Sequence, residues 1–174
     1  MLKQQIAADL EKAFSQYGFA EPSVAQLKDA CHVSLRTLYK YYASKEQMIA
    51  AALEHRHQRY IEFLLEDNQE VGTSSILAVF DKLGIWMRDF APNGCMSSNA
   101  VAAFPENQEI REAVSRHKLN VMALLGEKSQ QPQFATSLLL IHEGISNSWT
   151  VLGEQSVVTA KQLATTLLEG DAPQ

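Results

Sequence analysis

The side chains with the most legible chemistry are Leu35, Arg36, Thr37, Lys40 and Tyr41, all within one short stretch. A guanidinium and an ammonium can reach phosphate oxygens or guanine edges. Threonine and tyrosine hydroxyls donate to phosphate, and a leucine can touch a thymine methyl. The set suits double-stranded DNA if one helix face presents it. Leu38 and Tyr42 stand four residues apart and share an inward face, which leaves the other five pointing more or less outward.

The elements that must position this face flank it directly. Pro22 cannot continue a preceding helix, and the Ser23 hydroxyl can cap the first turn of a new one. Val24, Leu27 and Cys31 then recur at helical spacing. A turn falls at His32-Val33, with Val33 plugging the angle between two short helices. Ser34 is a second N-cap candidate, opening a helix from Leu35 to about Tyr42. Two helices around a tight turn form a helix-turn-helix. Ser44 and Gln47 make a capping box that starts a long helix. Lys45, near its positive end, could hold a phosphate together with free backbone amides.

The run Ala30-Cys-His-Val-Ser-Leu-Arg-Thr-Leu-Tyr-Lys-Tyr-Tyr-Ala-Ser-Lys-Glu-Gln-Met resembles the DNA-binding signature of TetR/AcrR-type transcriptional repressors. Upstream, Ala13-Phe14 and Tyr17-Gly18-Phe19 look like the end of that family's first helix, so the resemblance covers residues 6 to about 53. Two positions depart from the pattern. His32 stands where the turn usually has glycine, and histidine is among the residues enriched at positive φ. Arg36 stands where a small residue is frequent, which changes sequence preference.

The resemblance implies an all-α protein: an N-terminal three-helix helix-turn-helix DNA-binding domain at 1–46 and a C-terminal helical ligand-binding and dimerisation domain at 47–174. It implies operator DNA as partner. Arg36 would read base edges beside Leu35 and Thr37, while Tyr39, Lys40, Tyr41 and Lys45 hold phosphates and Ser23 sits at a helix N-terminus. It also implies repression relieved by a small-molecule inducer. By position in the family, Tyr60, Trp86, Phe90, Cys95, Asn99, Phe104, His117, Asn120 and His142 are candidates to line the inducer cavity, and Asn99 and Asn120 gain weight if buried. A homodimer through the last two helices is expected. Leu139, Leu140, Val151, Val158, Leu163 and Leu167 independently add apolar area beyond one stripe there. Paired readers would engage half-sites about 34–36 Å apart.

Charge fits this division. The chain carries a net −5, but residues 1–60 hold eight Lys/Arg against six Asp/Glu, a net +2, and the remaining residues hold −7. No apolar run approaches the roughly 18 residues of a membrane span. The start, Met-Leu-Lys-Gln-Gln-Ile, has no signal-peptide pattern, and Cys31 and Cys95 lie far apart, so a cytoplasmic, reduced protein is expected.

No enzyme, cofactor or metal site is expected. The five histidines form no recognisable motif, and His55 and His57, two residues apart, point to different helix faces. Cys95 follows Asn-Gly at a helix start, where amides lower a thiol's pKa, so a regulator sensing oxidants or electrophiles is one alternative. A helical small-molecule-binding protein that no longer reads DNA is the other.

Hydrophobic periodicity predicts about nine helices. The first covers 2–17, with Ile6, Leu10, Ala13, Phe14 and Tyr17 inward, Lys3, Asp9, Glu11 and Lys12 largely outside the stripe, and Gly18 as C-cap. Beyond the helix-turn-helix come 45–66, 74–90, 95–104, 106–125 with Pro105 at the start of its first turn, 134–152 and 157–168. Polar connections are expected at 126–133 and 153–156, and a frayed end at 170–174.

Overall fold

A computed structural model describes residues 1–170, and the expected fraying at 171–174 lies outside them. Among the described residues the chain is helical throughout. The elements are α1 (Leu2–Tyr17), α2 (Val24–Ala30), α3 (Leu35–Tyr41), α4 (Lys45–Leu65), α5 (Thr73–Phe90), α6 (Met96–Ala103), α7 (Gln108–Ser129), a 3-10 turn (Pro132–Phe134), α8 (Ala135–Leu152) and α9 (Glu154–Glu169). The chain divides into two compact units. One is Met1–Arg59 with Met96–His117, and the other is Tyr60–Cys95 with Lys118 onward. This division by packing is not the division at residue 46. The first unit takes in α6, most of α4 and the start of α7.

The first unit is built on a core of Ile6, Leu10 and Phe14 from α1, Leu27 from α2, Leu38 from α3 and Met48, Ile49 and Leu53 from α4. Each is essentially removed from water, which stabilises the unit by about 1.5–3 kcal/mol per side chain. Ala100, Ile110 and Val114 join the same core. Tyr17 was expected inside but is 54% exposed; α1 ends there, and its place is filled by Phe19, whose ring lies 5.3 Å from that of Phe14. Glu11 was expected outside and is buried, because three basic side chains of α4 surround it.

In the second unit α5, α8 and α9 pack around Leu64, Phe80, Leu83, Leu125, Leu138, Ile145 and Ala164. Two glycines let helices approach closely. A Cβ on Gly84 would stand 2.9 Å from Val157 Cγ2, and one on Gly126 would stand 3.0 Å from Ala135 Cβ. Gly126 therefore lies inside α7, which runs on to Ser129 where a loop was expected. The start of α7 also differs. The Asn107 side chain accepts from the Ile110 N–H at 2.9 Å and caps the helix, so Pro105 sits in the preceding turn and not in the helix. The expected turn at 153–156 shrinks to Gly153, at φ 52°, and α9 begins at once.

Candidate nucleic-acid interface and regulatory cluster

The helix-turn-helix is fixed by local polar bonds. The Ser23 hydroxyl accepts from the Gln26 N–H at 3.2 Å, and the Gln26 side chain accepts from the Ser23 N–H at 2.8 Å. His32 takes φ 54° at the turn, so the left-handed position usually given to glycine is filled by histidine. There the N–H groups of His32 and Val33 bond back to Asp29 and Lys28, closing α2. The Ser34 hydroxyl accepts from the Thr37 N–H at 3.0 Å and opens α3. Half-buried Val33 packs against the core between the helices. Tyr42, inward as expected, reaches the Lys3 carbonyl with its hydroxyl at 3.3 Å.

This frame leaves Leu35, Arg36, Tyr39 and Lys40 exposed along α3. Leu35 and Tyr39 are 42% and 49% exposed and stand four residues apart, on one face of the seven-residue helix. Tyr41 is half-buried against the core, with the Lys40 ammonium 5.8 Å from its ring centre. The Thr37 hydroxyl lies 2.9 Å from that of Ser34 and is already engaged. The Lys45 ammonium donates to the Ala20 carbonyl at 3.1 Å in an exposed bond. The capping box at α4 forms with a shift. Ser44 accepts from the Gln47 N–H, but the Gln47 side chain bonds the N–H of Ala43, not that of Ser44.

Five of the nine cavity candidates come together in the second unit. Tyr60 and Trp86 rings lie 5.1 Å apart, and Trp86 and Phe90 rings 4.8 Å apart. The Tyr60 hydroxyl lies 2.5 Å from His142 Nε2. On its other side His142 Nδ1 donates to Glu143 at 3.2 Å, which makes Nε2 the acceptor for Tyr60. Glu143 accepts from Lys118 at 2.6 Å, and the same ammonium lies 3.7 Å from Cys95 Sγ. Glu143 and Lys118 extend the cluster beyond what sequence reasoning found.

The electrostatics follow from this chain of bonds. Burial pushes the Tyr60 hydroxyl well above its ordinary pKa, aided by Cys95 and Glu143. Burial also lowers His142, against the pull of Glu143. Burial alone would raise the Glu143 carboxyl, but His142 and Lys118 outweigh it and hold it down at about 2. Burial would lower Lys118, yet the Cys95 sulfur and Glu143 raise it.

Asn99 and Asn120 are exposed, so the condition that gave them weight is not met. Phe104 is half-buried against the core of the first unit. His117 is also in the first unit, 4% exposed, with Nε2 2.7 Å from Glu54 and its ring stacked on His57 at 4.3 Å. Its Nδ1 is buried and meets no hydrogen-bond partner among the described residues. His55 and His57 do diverge, His55 going to Glu11 at 2.6 Å. Among the described residues no three His, Cys, Asp or Glu side chains are placed to hold a metal ion. No helix there is long and apolar enough to cross a membrane.

Residues 8–52 match the sequence profile described as bacterial regulatory proteins, tetR family. No curated protein matches the chain. Among solved structures, a TetR-family transcriptional regulator from Streptomyces coelicolor is 16% identical, with a TM-score of 0.84 over 99% of this chain and 90% of that one. The reduced form of E. coli NemR is 20% identical, with a TM-score of 0.79 over the whole of both chains. The multidrug binding protein EbrR, complexed with imidazole, is 18% identical, with a TM-score of 0.73 over 100% of this chain and 97% of that one. At these identities the likeness establishes the fold.

Proposed function

We propose that this chain, whose residues 8–52 match the tetR family of bacterial regulatory proteins, binds operator DNA as a sequence-specific transcriptional repressor released by a small molecule. The observation that carries this is the exposed row Leu35, Arg36, Tyr39 and Lys40 on a capped and buried-side-anchored α3. Arg36 would read a base edge with Leu35 beside it, Lys40, Tyr39 and Tyr41 would hold phosphates, and Ser23 would face the backbone at the start of α2. Thr37, bonded to Ser34, would contribute mainly by fixing the helix start. Residues 1–46 act as the reader and 47–174 as the regulatory part. Such a protein works in the cytoplasm.

Two copies would join through α8 and α9. A groove of about 320 Å³ runs there, lined by Leu140, Ile141, Gly144, Ile145, Leu152 and Leu163 among others. Leu140 and Val151 are 69% and 84% exposed, which supports burial against a second copy in a four-helix contact. A single monomeric species in sedimentation at micromolar concentration would refute the dimer.

The small molecule would bind at the cluster of Tyr60, Trp86, Phe90, Cys95 and His142. EbrR, a multidrug binding protein of the same fold, supports that use of the scaffold. A ligand favouring one orientation of the paired readers over the other would change DNA affinity by roughly 5–150-fold through a coupling of about 1–3 kcal/mol. One observation favours a second reading, a regulator that senses electrophiles or oxidants through Cys95: the Lys118 ammonium lies 3.7 Å from its sulfur. An unchanged response of Cys95→Ser to such reagents would dismiss it.

The deciding experiment is fluorescence anisotropy on DNA from upstream of the protein's own gene, across a salt series, against a shuffled fragment. A preference of about a thousandfold is expected. Equal affinity for native and shuffled DNA, there and across neighbouring promoters, would sink the reading.

A further inference from the structure

We propose that Leu35 is a specificity-determining residue of the DNA reader, and that it reads the methyl group of a thymine beside the base pair contacted by Arg36. The inference rests on the DNA-binding reading and names a base that reading leaves open. The roll of α3 about its axis is fixed along its buried face. Leu38 is fully buried, Tyr42 is bonded to the Lys3 carbonyl at 3.3 Å, and the Ser34 hydroxyl caps the first turn. At about 100° per residue, Arg36 and Lys40 each stand about 160° from Leu38, opposite the buried face. Leu35 and Tyr39 stand about 60° and 100° from Leu38 and form one flank of the outward face, with Thr37 on the other flank.

The two flanks differ in what they offer a base. The Thr37 hydroxyl is engaged with that of Ser34 at 2.9 Å. Tyr39 carries a hydroxyl at its far end, suited to a phosphate oxygen. Leu35 alone among the exposed side chains of α3 has no polar atom. Pressed on a donor or acceptor of a base edge, it would strip that group of water and give it no partner, which costs more than the apolar contact returns. Of the groups that base pairs present in the major groove, only the thymine C5-methyl is an apolar knob. Leucine is therefore favourable over thymine and unfavourable over the polar edges. The basic row of Arg36 and Lys40 beside it supplies the attraction to phosphate and guanine that brings a groove to this face.

The test uses the full chain and the DNA fragment it prefers in anisotropy, remade with deoxyuridine at one thymidine position at a time. That change removes the methyl and keeps the base pair. At one position wild type should lose about fourfold in affinity per half-site, the scale of one buried methyl group. Leu35→Ala should bind the thymine and uracil forms of that position equally. Its slope of log affinity against log salt should match wild type, because no phosphate contact is lost. The Leu35 side chain lies outside the buried core, and circular dichroism should show the variant folded. Wild type that binds every uracil fragment as tightly as the original would overturn the proposal. A uracil penalty that persists undiminished in Leu35→Ala would overturn it too, by placing the methyl contact on another residue. Absence of any sequence preference in wild type would defeat the DNA-binding reading and this proposal with it, whereas preference without methyl dependence would defeat this proposal alone.

Discussion

Glu11→Leu should be among the most destabilising single changes in the first unit. The Glu11 carboxylate is 2% exposed and accepts from His55 at 2.6 Å, Arg56 at 3.1 Å and Arg59 at 2.7 Å, joining α1 to α4. The three partners are not equal. The His55 and Arg59 side chains are 26% and 39% exposed and can turn to water when the carboxylate is lost. Arg56, at 10%, cannot do so without leaving its place. Removing one partner of a buried pair costs about 3–5 kcal/mol, mainly through the stranded charge. Of the three basic partners only Arg56 is held inside, so the low end applies, about 3 kcal/mol. For a chain of this size that lowers Tm by about 6–12 °C. Urea unfolding followed by far-ultraviolet circular dichroism measures the loss directly. Lys12→Ala, which removes a pair with Asp9 whose lysine is 77% exposed, should cost under about 1 kcal/mol and serves as the control. A Glu11→Leu variant as stable as wild type would refute the reasoning, because packing gained by the leucine would then offset the lost carboxylate in full.

Three further outcomes are expected. Arg36→Ala should cost about 1–3 kcal/mol on the preferred operator and flatten preference at one base position; unchanged affinity and preference in anisotropy would remove Arg36 from the reading face. Stability should fall with acid in two steps: His117 and His142 have folded pKa values below their ordinary 6.5, so the unfolded chain takes up protons first and stability is lost as pH drops from about 6.5 through those folded values. Glu54 and Glu143 lie below their ordinary 4.5, so a second loss begins under about pH 4.5 and, for Glu143, continues down to about 2. Urea midpoints that stay flat from pH 8 to 5 would contradict the histidine step. Finally, Gly84→Ala should cost about 1–3 kcal/mol by overpacking α5 against Val157, and Val157→Ala should relieve part of that loss; purely additive losses in thermal unfolding would show that the two residues do not meet.

What could be read from the sequence was whatever a few neighbouring residues decide. Ser23, Ser34 and Ser44 stand at helix starts because each hydroxyl reaches an amide two or three residues on, and such bonds are the same in any protein. His32 could be placed at positive φ because the resembled family usually has glycine there and histidine is among the residues enriched in that region. The bounds of α1 to α5 followed from the same local rules. The failures share a different cause. Glu11 lies beside the apolar stripe of α1, and only the approach of basic groups 44 to 48 residues later makes its burial tolerable. Gly126 reads as a helix breaker until Ala135 is seen packed against it. Tyr60 and His142, joined by a hydrogen bond, are 82 residues apart, and Lys118 and Glu143, at the heart of the same cluster, resemble ordinary surface charges in the sequence. Periodicity reports which side of a helix is apolar, but not which polar group a distant helix will cover. The reader is therefore written in adjacent residues, where substitutions act singly. The cluster of the second unit depends on pairs from separate helices, so its roles have to be tested by changing two residues at once.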